Sequence, residues 1–282
     1  MTRSTDISPL SVLLARVDAV SDGAPPAGTI TSGFPSLDKM LGGGFRRGDL
    51  VVVGGDTASG KSALALAFAI RSAIAATRVL FLSGEMTVER VLERVIAIEA
   101  RTTIDDLRLG TLDESERAKA GAVALDLRDH LPVVDRIPTG GIGELSSLLE
   151  GVRPDLLVVD SLSSLAPRDS DRDQAWARTV RELKDLALDR NIVVLATAEL
   201  PNLAPRADAR PTLEDFGALG AVRRHADVVL AIYRPEMYEQ ARDIAGATEL
   251  IVRKNRSGPT GYVDLYFYAQ WLRFEDMLDP ER

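Results

Sequence analysis

The stretch LVVVGGDTASGKSALALAFA, residues 50–69, decides the fold. Its first four residues are apolar and mostly β-branched, which predicts a buried strand, and the alanine- and leucine-rich run from Ser62 predicts a helix. Between them stand Gly55, four further residues and then Gly60-Lys61-Ser62. A glycine-rich loop with this spacing, directly after a strand and before a helix, is built to hold phosphate. Its glycines let backbone N–H groups curl round an anion, and the helix start adds its positive end. Lys61 reaches the outer phosphates of a nucleotide and the Ser62 hydroxyl is a magnesium ligand. Gly55, Asp56, Thr57, Ala58, Ser59, Gly60, Lys61, Ser62 and Ala63 are therefore the expected nucleotide-binding segment, with ATP and Mg2+ as ligands.

Outward from this loop, short apolar runs alternate with helical patterns. Strands are expected at 50–53, 79–82, 133–134, 156–159, 192–196 and 228–232, and helices at 62–75, 88–100, 115–127 and 174–188. This alternation specifies an α/β fold with a mostly parallel twisted sheet and helices on both faces. After it the pattern changes. Residues 249–254 and 262–268 flank a Ser-Gly-Pro-Thr-Gly turn, with Val263, Leu265 and Phe267 on alternate positions, and predict an antiparallel strand pair that finishes the sheet.

Composition narrows the chemistry. A chain of 282 residues with 45% hydrophobic and 27% charged content is long enough for a full core. It has no cysteine, and His130 and His225 stand far apart, so neither a disulfide framework nor a zinc site is expected. Arg71 interrupts the most apolar run well short of a membrane span, and a cytoplasmic location without membrane attachment is expected. A net charge of −8 disfavours non-specific coating of nucleic acid, although a local basic loop can bind it from within an acidic protein. Ahead of the sheet, Ser8 and Pro9 open a helical stripe of Leu10, Leu13, Leu14 and Val17, followed by the linker SDGAPPAGT. Such a tethered helix packs either on its own domain or on a neighbouring subunit. The expected organisation is an arm at 1–28 and one ATPase domain at 29–282.

Two carboxylates complete a hydrolytic set. In PDLLVVDSL four apolar residues push Asp160 to the carboxyl end of a strand, where ligand crevices of parallel sheets open. There it is suited to hold the water shell of magnesium, although an aspartate after a strand is also a common turn residue. Glu85 in VLFLSGEMT ends the strand after the phosphate-loop helix, where it can orient a water toward the terminal phosphate. The alternative for Glu85 is a carboxylate that favours the dipole of the helix starting near Val88.

From residue 30 to residue 274 the chain resembles the RecA-like ATPase domain of DnaB-type replicative helicases. The resemblance rests on ITSGFPSLDKMLGGGFRRGDL, the phosphate loop, FLSGEMTVERV, LLVVDSL, RELKDLALDRNIVVLA, HADVVLAIYRPEMY and ELIVRKNRSGPTGYVDLYF. It implies a RecA-like core that hydrolyses ATP between the subunits of a homo-oligomeric ring, a hexamer in this family, moving on single-stranded DNA. Replication or repair proteins are the further partners implied. The family's Lys-x-Arg, which reaches the nucleotide of the adjacent subunit, falls on Lys254 and Arg256. Residues two apart on a strand share a face, so these two are expected to point together and Arg253 away, as a paired cationic finger rather than a solvated basic edge.

The sequence departs from the family at three places. Residues 1–28 stand where relatives carry a large helical domain, so contacts with a priming enzyme are not carried over. Glu199 stands at the glutamine that senses the terminal phosphate, where a carboxylate is repelled by phosphate unless protonated or metal-bound. Gly217-Ala218-Leu219-Gly220 replaces an Arg-Glu-Ser-Gly stretch that touches DNA, retaining only Gly220. Arg168, Arg172, Arg206 and Arg210, on the loops after strands 156–159 and 192–196, are the other residues expected to meet DNA, by lining a ring channel. Solvated loop charges are their alternative. Besides a helicase or translocase, two readings stay open: a recombination or repair ATPase of the RadA type, and a nucleotide-dependent switch of the KaiC type or helicase adaptor.

Overall fold

The structure is a computed structural model, and it describes residues 8, 10, 13, 14, 28–167, 171–239 and 244–277. In chain order, β1 (Thr29–Ile30), α1 (Pro35–Leu41) and β2 (Phe45–Arg46) lead into β3 (Leu50–Gly55) and α2 (Lys61–Ile74). Next come β4 (Val79–Ser83), α3 (Val88–Ala100), α4 (Ile104–Leu109), α5 (Glu114–Leu127) and β5 (Val133–Arg136). Then follow α6 (Ile142–Val152), β6 (Leu156–Asp160), α7 (Leu162–Leu165), α8 (Arg172–Arg190) and β7 (Val193–Glu199). The chain continues through α9 (Ala221–His225), β8 (Val228–Tyr233), β9 (Ala247–Asn255), β10 (Gly261–Tyr268) and β11 (Arg273–Asp276).

Nine strands form one sheet in the order β11-β10-β9-β8-β3-β7-β6-β4-β5. From β5 to β8 all neighbours are parallel, and β8 to β11 are antiparallel. The expected antiparallel pair thus has a further strand, β11. Its sequence, Arg-Phe-Glu-Asp, carries little apolar signal, yet all four residues are buried because Arg273 pairs with Glu275 and Glu99.

The central strands are apolar on both faces, as a covered parallel sheet requires. Val51, Val53, Phe81, Val158 and Leu195 face α2, and Val52, Leu80, Leu157 and Val194 face Trp176, Val180 and Leu183 of α8 with Leu145 and Leu149 of α6. Helix α2 is buried on every side from Ala63 to Ala73. Arg71, the residue that interrupts its apolar run, pairs with Glu275 and lies 4.0 Å over the Phe34 ring. Of the N-terminal stripe, Leu10, Leu13 and Leu14 are helical and exposed, whereas Pro9, Val17 and residues 21–27 lie outside the described residues.

At the amino ends of the parallel strands, burial and the neighbouring Asp227 push the Asp49 carboxyl up to about 6. Its pKa is higher in the folded chain than in the unfolded one, so the native state favours the proton and loses stability as pH rises from about 4 to about 6. Asp49→Asn is therefore expected to raise the melting temperature at pH 7.5 and to leave it nearly unchanged at pH 4. Equal effects at both pH values in a thermal melt count against this account.

Candidate functional site

Six backbone pairs align β3 with β7 and end at Gly55 opposite Glu199. On the other side of β7, β6 ends at Asp160, level with Ser83 at the end of β4. The carboxyl ends of β3, β4, β6 and β7 therefore converge, and the phosphate loop springs from β3 into that convergence. The loop needs its glycines. Gly60 caps α2 at φ 99°, and a Cβ there would sit 2.9 Å from the Phe274 ring. A Cβ on Gly55 would lie 2.3 Å from Ser59 Oγ. Ser59 is buried, and among the described residues its hydroxyl has no hydrogen-bond partner, which leaves a donor inside the loop for an anion.

Lys61 folds back over the loop and donates from Nζ to the carbonyls of Gly55 (3.1 Å) and Asp56 (2.9 Å). Burial lowers its pKa, and the carboxylates of Glu199, Asp160, Asp56 and Glu85 oppose that shift. These four carboxylates all act on one ammonium although they come from three strand ends and the loop. Asp160 is buried and accepts Thr197 Oγ1 at 2.6 Å, which fixes its orientation. Glu85 is exposed, two residues beyond β4. The cap of α3 is Thr87, whose hydroxyl accepts Arg90 N, and the acidic residue of its first turn is Glu89. Ser62 and Ala63 occupy the first turn of α2.

Glu199 is exposed at the end of β7 and accepts the Thr57 hydroxyl at 2.6 Å, so its carboxylate lies against the loop. Asp56 accepts Tyr238 OH (3.3 Å), and burial together with Asp56 pushes that phenol up to about 12. Two arginines that the sequence reading passed over also belong here. Arg234 is buried, donates to Ala58 O at 3.2 Å and stacks 4.4 Å over Phe267. Arg94 on α3 has its pKa lowered by burial, with Asp160 and Glu85 opposing the shift. Its signal was legible: Val91, Val95 and Ile98 form the buried stripe of α3, and Arg94 is the charge on that stripe.

Lys254 and Arg256 lie elsewhere. β9 ends at Asn255 opposite Val228, and Arg256 N donates to Asp227 O at 2.8 Å, so Arg256 is level with the first residue of β3. That is about 17 Å along the strand from Gly55. A bulge at Val229/Leu230 leaves Arg253 outside the register, and its Nε donates to Pro211 O. Lys254 Nζ donates to the carbonyls of Arg223 (2.7 Å) and Ala226, and Arg256 Nη2 to that of Arg224 (3.1 Å). Both cations thus reach the C-terminal turn of α9.

The arginines expected at DNA are largely engaged within the chain. Arg206 makes a two-point pair with Asp215, a carboxylate that also caps the turn at Thr212. Arg210 pairs with Glu249 at 2.6 Å and lies 4.7 Å over Tyr233. Both pairs tie their loops to the domain, and each carboxylate would compete with phosphate for its arginine. Arg172 opens α8 and lies 4.7 Å over Trp176, and Arg168 lies outside the described residues. Gly220 caps α9 at φ 73°, after a left-handed run through Gly217, Ala218 and Leu219.

Among the described residues no three His, Cys, Asp or Glu form a ready metal cage. Ser62 with Asp160 is nonetheless a donor set that suits magnesium, which keeps several waters and leans on substrate phosphates. No helix among these residues is long and apolar enough to cross a membrane.

Known proteins match this arrangement. The family model described as the DnaB-like helicase C terminal domain matches residues 29–276. The replicative DNA helicase DnaB of Leifsonia xyli subsp. xyli is 31% identical over 285 residues, covering 96% of this chain and 62% of that protein. DnaB of Haemophilus influenzae is 31% identical, covering 97% and 61%, and the replicative DNA helicase DnaC of Bacillus subtilis is 28% identical, covering 88% and 56%. The chain thus spans about six-tenths of the length of these relatives. Among solved structures, one isolated ATPase domain superposes with a TM-score of 0.83 at 24% identity, over 96% of this chain and all of that one. A DnaB-like replicative helicase studied with primase gives 0.83 at 23%, over 98% and 68%, so the fold is shared with both. With the phosphate loop, the strand-end carboxylates and the antiparallel extension all lying within residues 29–276, the chain belongs to the family of DnaB-like helicase C-terminal domains.

Proposed function

We propose that this chain is the ATP-hydrolysing motor domain of a DNA helicase or translocase, working as a homo-oligomeric, hexameric ring on single-stranded DNA. The observation that carries the reading is the split between the two cationic groups. Lys61 sits among Asp160, Glu85 and Glu199, while Lys254 and Arg256 lie about 17 Å away along the sheet, beyond side-chain reach of that loop. A finger so placed serves a nucleotide on another chain.

In the reaction, loop N–H groups and the start of α2 bind the phosphates of ATP, and Lys61 leaves its carbonyl contacts to neutralise the outer ones. Glu85 orients the attacking water in line with the terminal phosphate, and the positive charge of Arg94 nearby favours its ionised form. Ser62 and Asp160 would hold magnesium, which neutralises phosphate oxygens when bound. Arg256 and Lys254 of a neighbour complete the site by stabilising charge on the transferring group.

Glu199 tunes this site. Its carboxylate lies against the loop where an incoming terminal phosphate adds like charge. Glu199→Gln keeps the shape and the bond to Thr57, and is expected to lower the KM for ATP roughly tenfold, the scale of the ~1 kcal/mol that a water-screened unit charge exerts at about 4 Å. An unchanged KM in steady-state kinetics places Glu199 outside the phosphate's field.

The test of the whole reading is ATP hydrolysis with and without single-stranded DNA, across a salt series, with oligomeric mass recorded in parallel. Stimulation by DNA that fades as salt rises, in a ring-sized species, is the expected result. Nucleotide binding with no DNA stimulation at any salt favours the switch or adaptor instead.

A further inference from the structure

Asp227 stands between β8 and the start of the phosphate-loop strand and takes no part in the site described above. Its carboxylate is almost wholly buried. One oxygen accepts Leu50 N (2.9 Å) and Lys184 Nζ (2.6 Å), and the other lies 3.0 Å from Arg256 Nε in an ion pair. The backbone adds a second layer, with Asp227 N donating to Leu50 O and Arg256 N to Asp227 O, each at 2.8 Å. Lys184, from α8, also donates to Gly48 O at 2.8 Å. One buried residue therefore ties together β3, which ends in the phosphate loop, the long helix α8 and the arginine beyond β9.

We propose that Asp227 is the positioning residue for Arg256, fixing the finger a subunit lends to its neighbour relative to that subunit's own phosphate-loop strand. The inference rests on the reading that Arg256 acts on an adjacent chain. Three features of the geometry support it. The guanidinium is held from two sides, by Asp227 at Nε and by Arg224 O at Nη2, which leaves Nη1 without a bond among the described residues and available to a phosphate. Lys184 also pairs with the carboxylate, so Arg256 is not its sole counter-ion and its charge is not spent on Asp227 alone. The same Asp227 oxygen that Lys184 holds also accepts from Leu50, so a shift of β3 moves the finger's anchor with it.

Asp227→Asn keeps an acceptor for Leu50 N but removes the charge that holds the guanidinium. It is expected to lower kcat roughly tenfold to a hundredfold, the cost of about 1 Å of misplacement, with the KM for ATP changed less than about twofold. Where this variant folds poorly because Lys184 is left buried without its partner, Asp227→Asn with Lys184→Met removes both charges, and the same kinetics are expected.

Mixed oligomers test the idea. Lys61→Ala subunits cannot grip ATP but still lend an intact finger. Mixed with Arg256→Ala subunits they are expected to restore hydrolysis, and mixed with Asp227→Asn subunits to restore it as well. Restoration with Arg256→Ala but not with Asp227→Asn overturns the positioning role, since the damage of Asp227→Asn then lies in its own loop. Restoration with neither overturns the shared site itself, and the proposal with it.

Discussion

Replacing Arg256 by alanine in an assembled sample is expected to lower ATP hydrolysis about 10³- to 10⁵-fold, the range that arginine fingers contribute to phosphoryl transfer. The reasoning is geometric. Charge develops on the terminal phosphate in a site that already holds Lys61, where four carboxylates act on the same ammonium. A further cation from the neighbouring chain meets that charge in the proposed reaction, and Arg256, paired with a buried carboxylate and with Nη1 unbonded among the described residues, is the group suited to it. ATP affinity measured with a fluorescent analogue should change far less than the rate, because the finger acts on the transition state more than on the bound substrate. The variant also leaves Asp227 paired with Lys184 alone, so its melting curve belongs beside the kinetics. Hydrolysis within a few-fold of the parent, in a sample of unchanged oligomeric mass, rules Arg256 out as the finger.

Glu85→Gln is expected to cost about 10²- to 10⁴-fold in kcat, the usual contribution of a positioned general base or water-orienting carboxylate. Glutamine keeps the size and one acceptor, so nucleotide binding should persist. Glu85 is exposed and outside the first turn of α3, where Thr87 and Glu89 already serve the helix, which leaves it free for chemistry. Arg94 is close enough for both Asp160 and Glu85 to favour its charged form. Single-turnover hydrolysis separates this effect from product release. Normal turnover in that assay moves the water-orienting role to another group.

The sheet was legible wherever burial was apolar. β3, β4, β6, β7 and β8 are buried along most of their length by Val, Leu, Ile and Ala, and their order in the chain, separated by amphipathic helices, is what a parallel sheet demands. β11 was illegible because its burial is ionic: Arg273 and Glu275 neutralise one another only after α3 and β10 have brought Glu99 and the rest of the strand together. Helix α6 was obscured by Gly143 and Gly151 within its span, which weaken a helical pattern although Leu145 and Leu149 still face the core.

The candidate site divides in the same way. The loop residues 55–63 and the strand-end carboxylates announce themselves by position, since a charge after an apolar run must lie at the rim of a sheet. Arg94 and Arg234 reach the rim from a helix face and from beyond the end of β8, and their relation to the loop depends on tertiary packing. The loop arginines show the converse. Arg206 and Arg210 look solvent-facing in a stretch rich in Pro and Ala, but Asp215 lies nine residues on from Arg206 and Glu249 thirty-nine residues on from Arg210, partners no local pattern reveals.

Because α2 is enclosed on every side for three turns, its amide protons have no local route to solvent, and they exchange only when the whole domain opens. The helix that begins the phosphate grip is therefore also a gauge of the domain's total stability. Any ligand that binds the native chain slows exchange along residues 63–73 by the same factor, about a hundredfold at a concentration one hundred times its dissociation constant. Mass-resolved exchange at that one helix thus measures nucleotide affinity with no turnover, and it can be read for variants whose catalysis has been abolished.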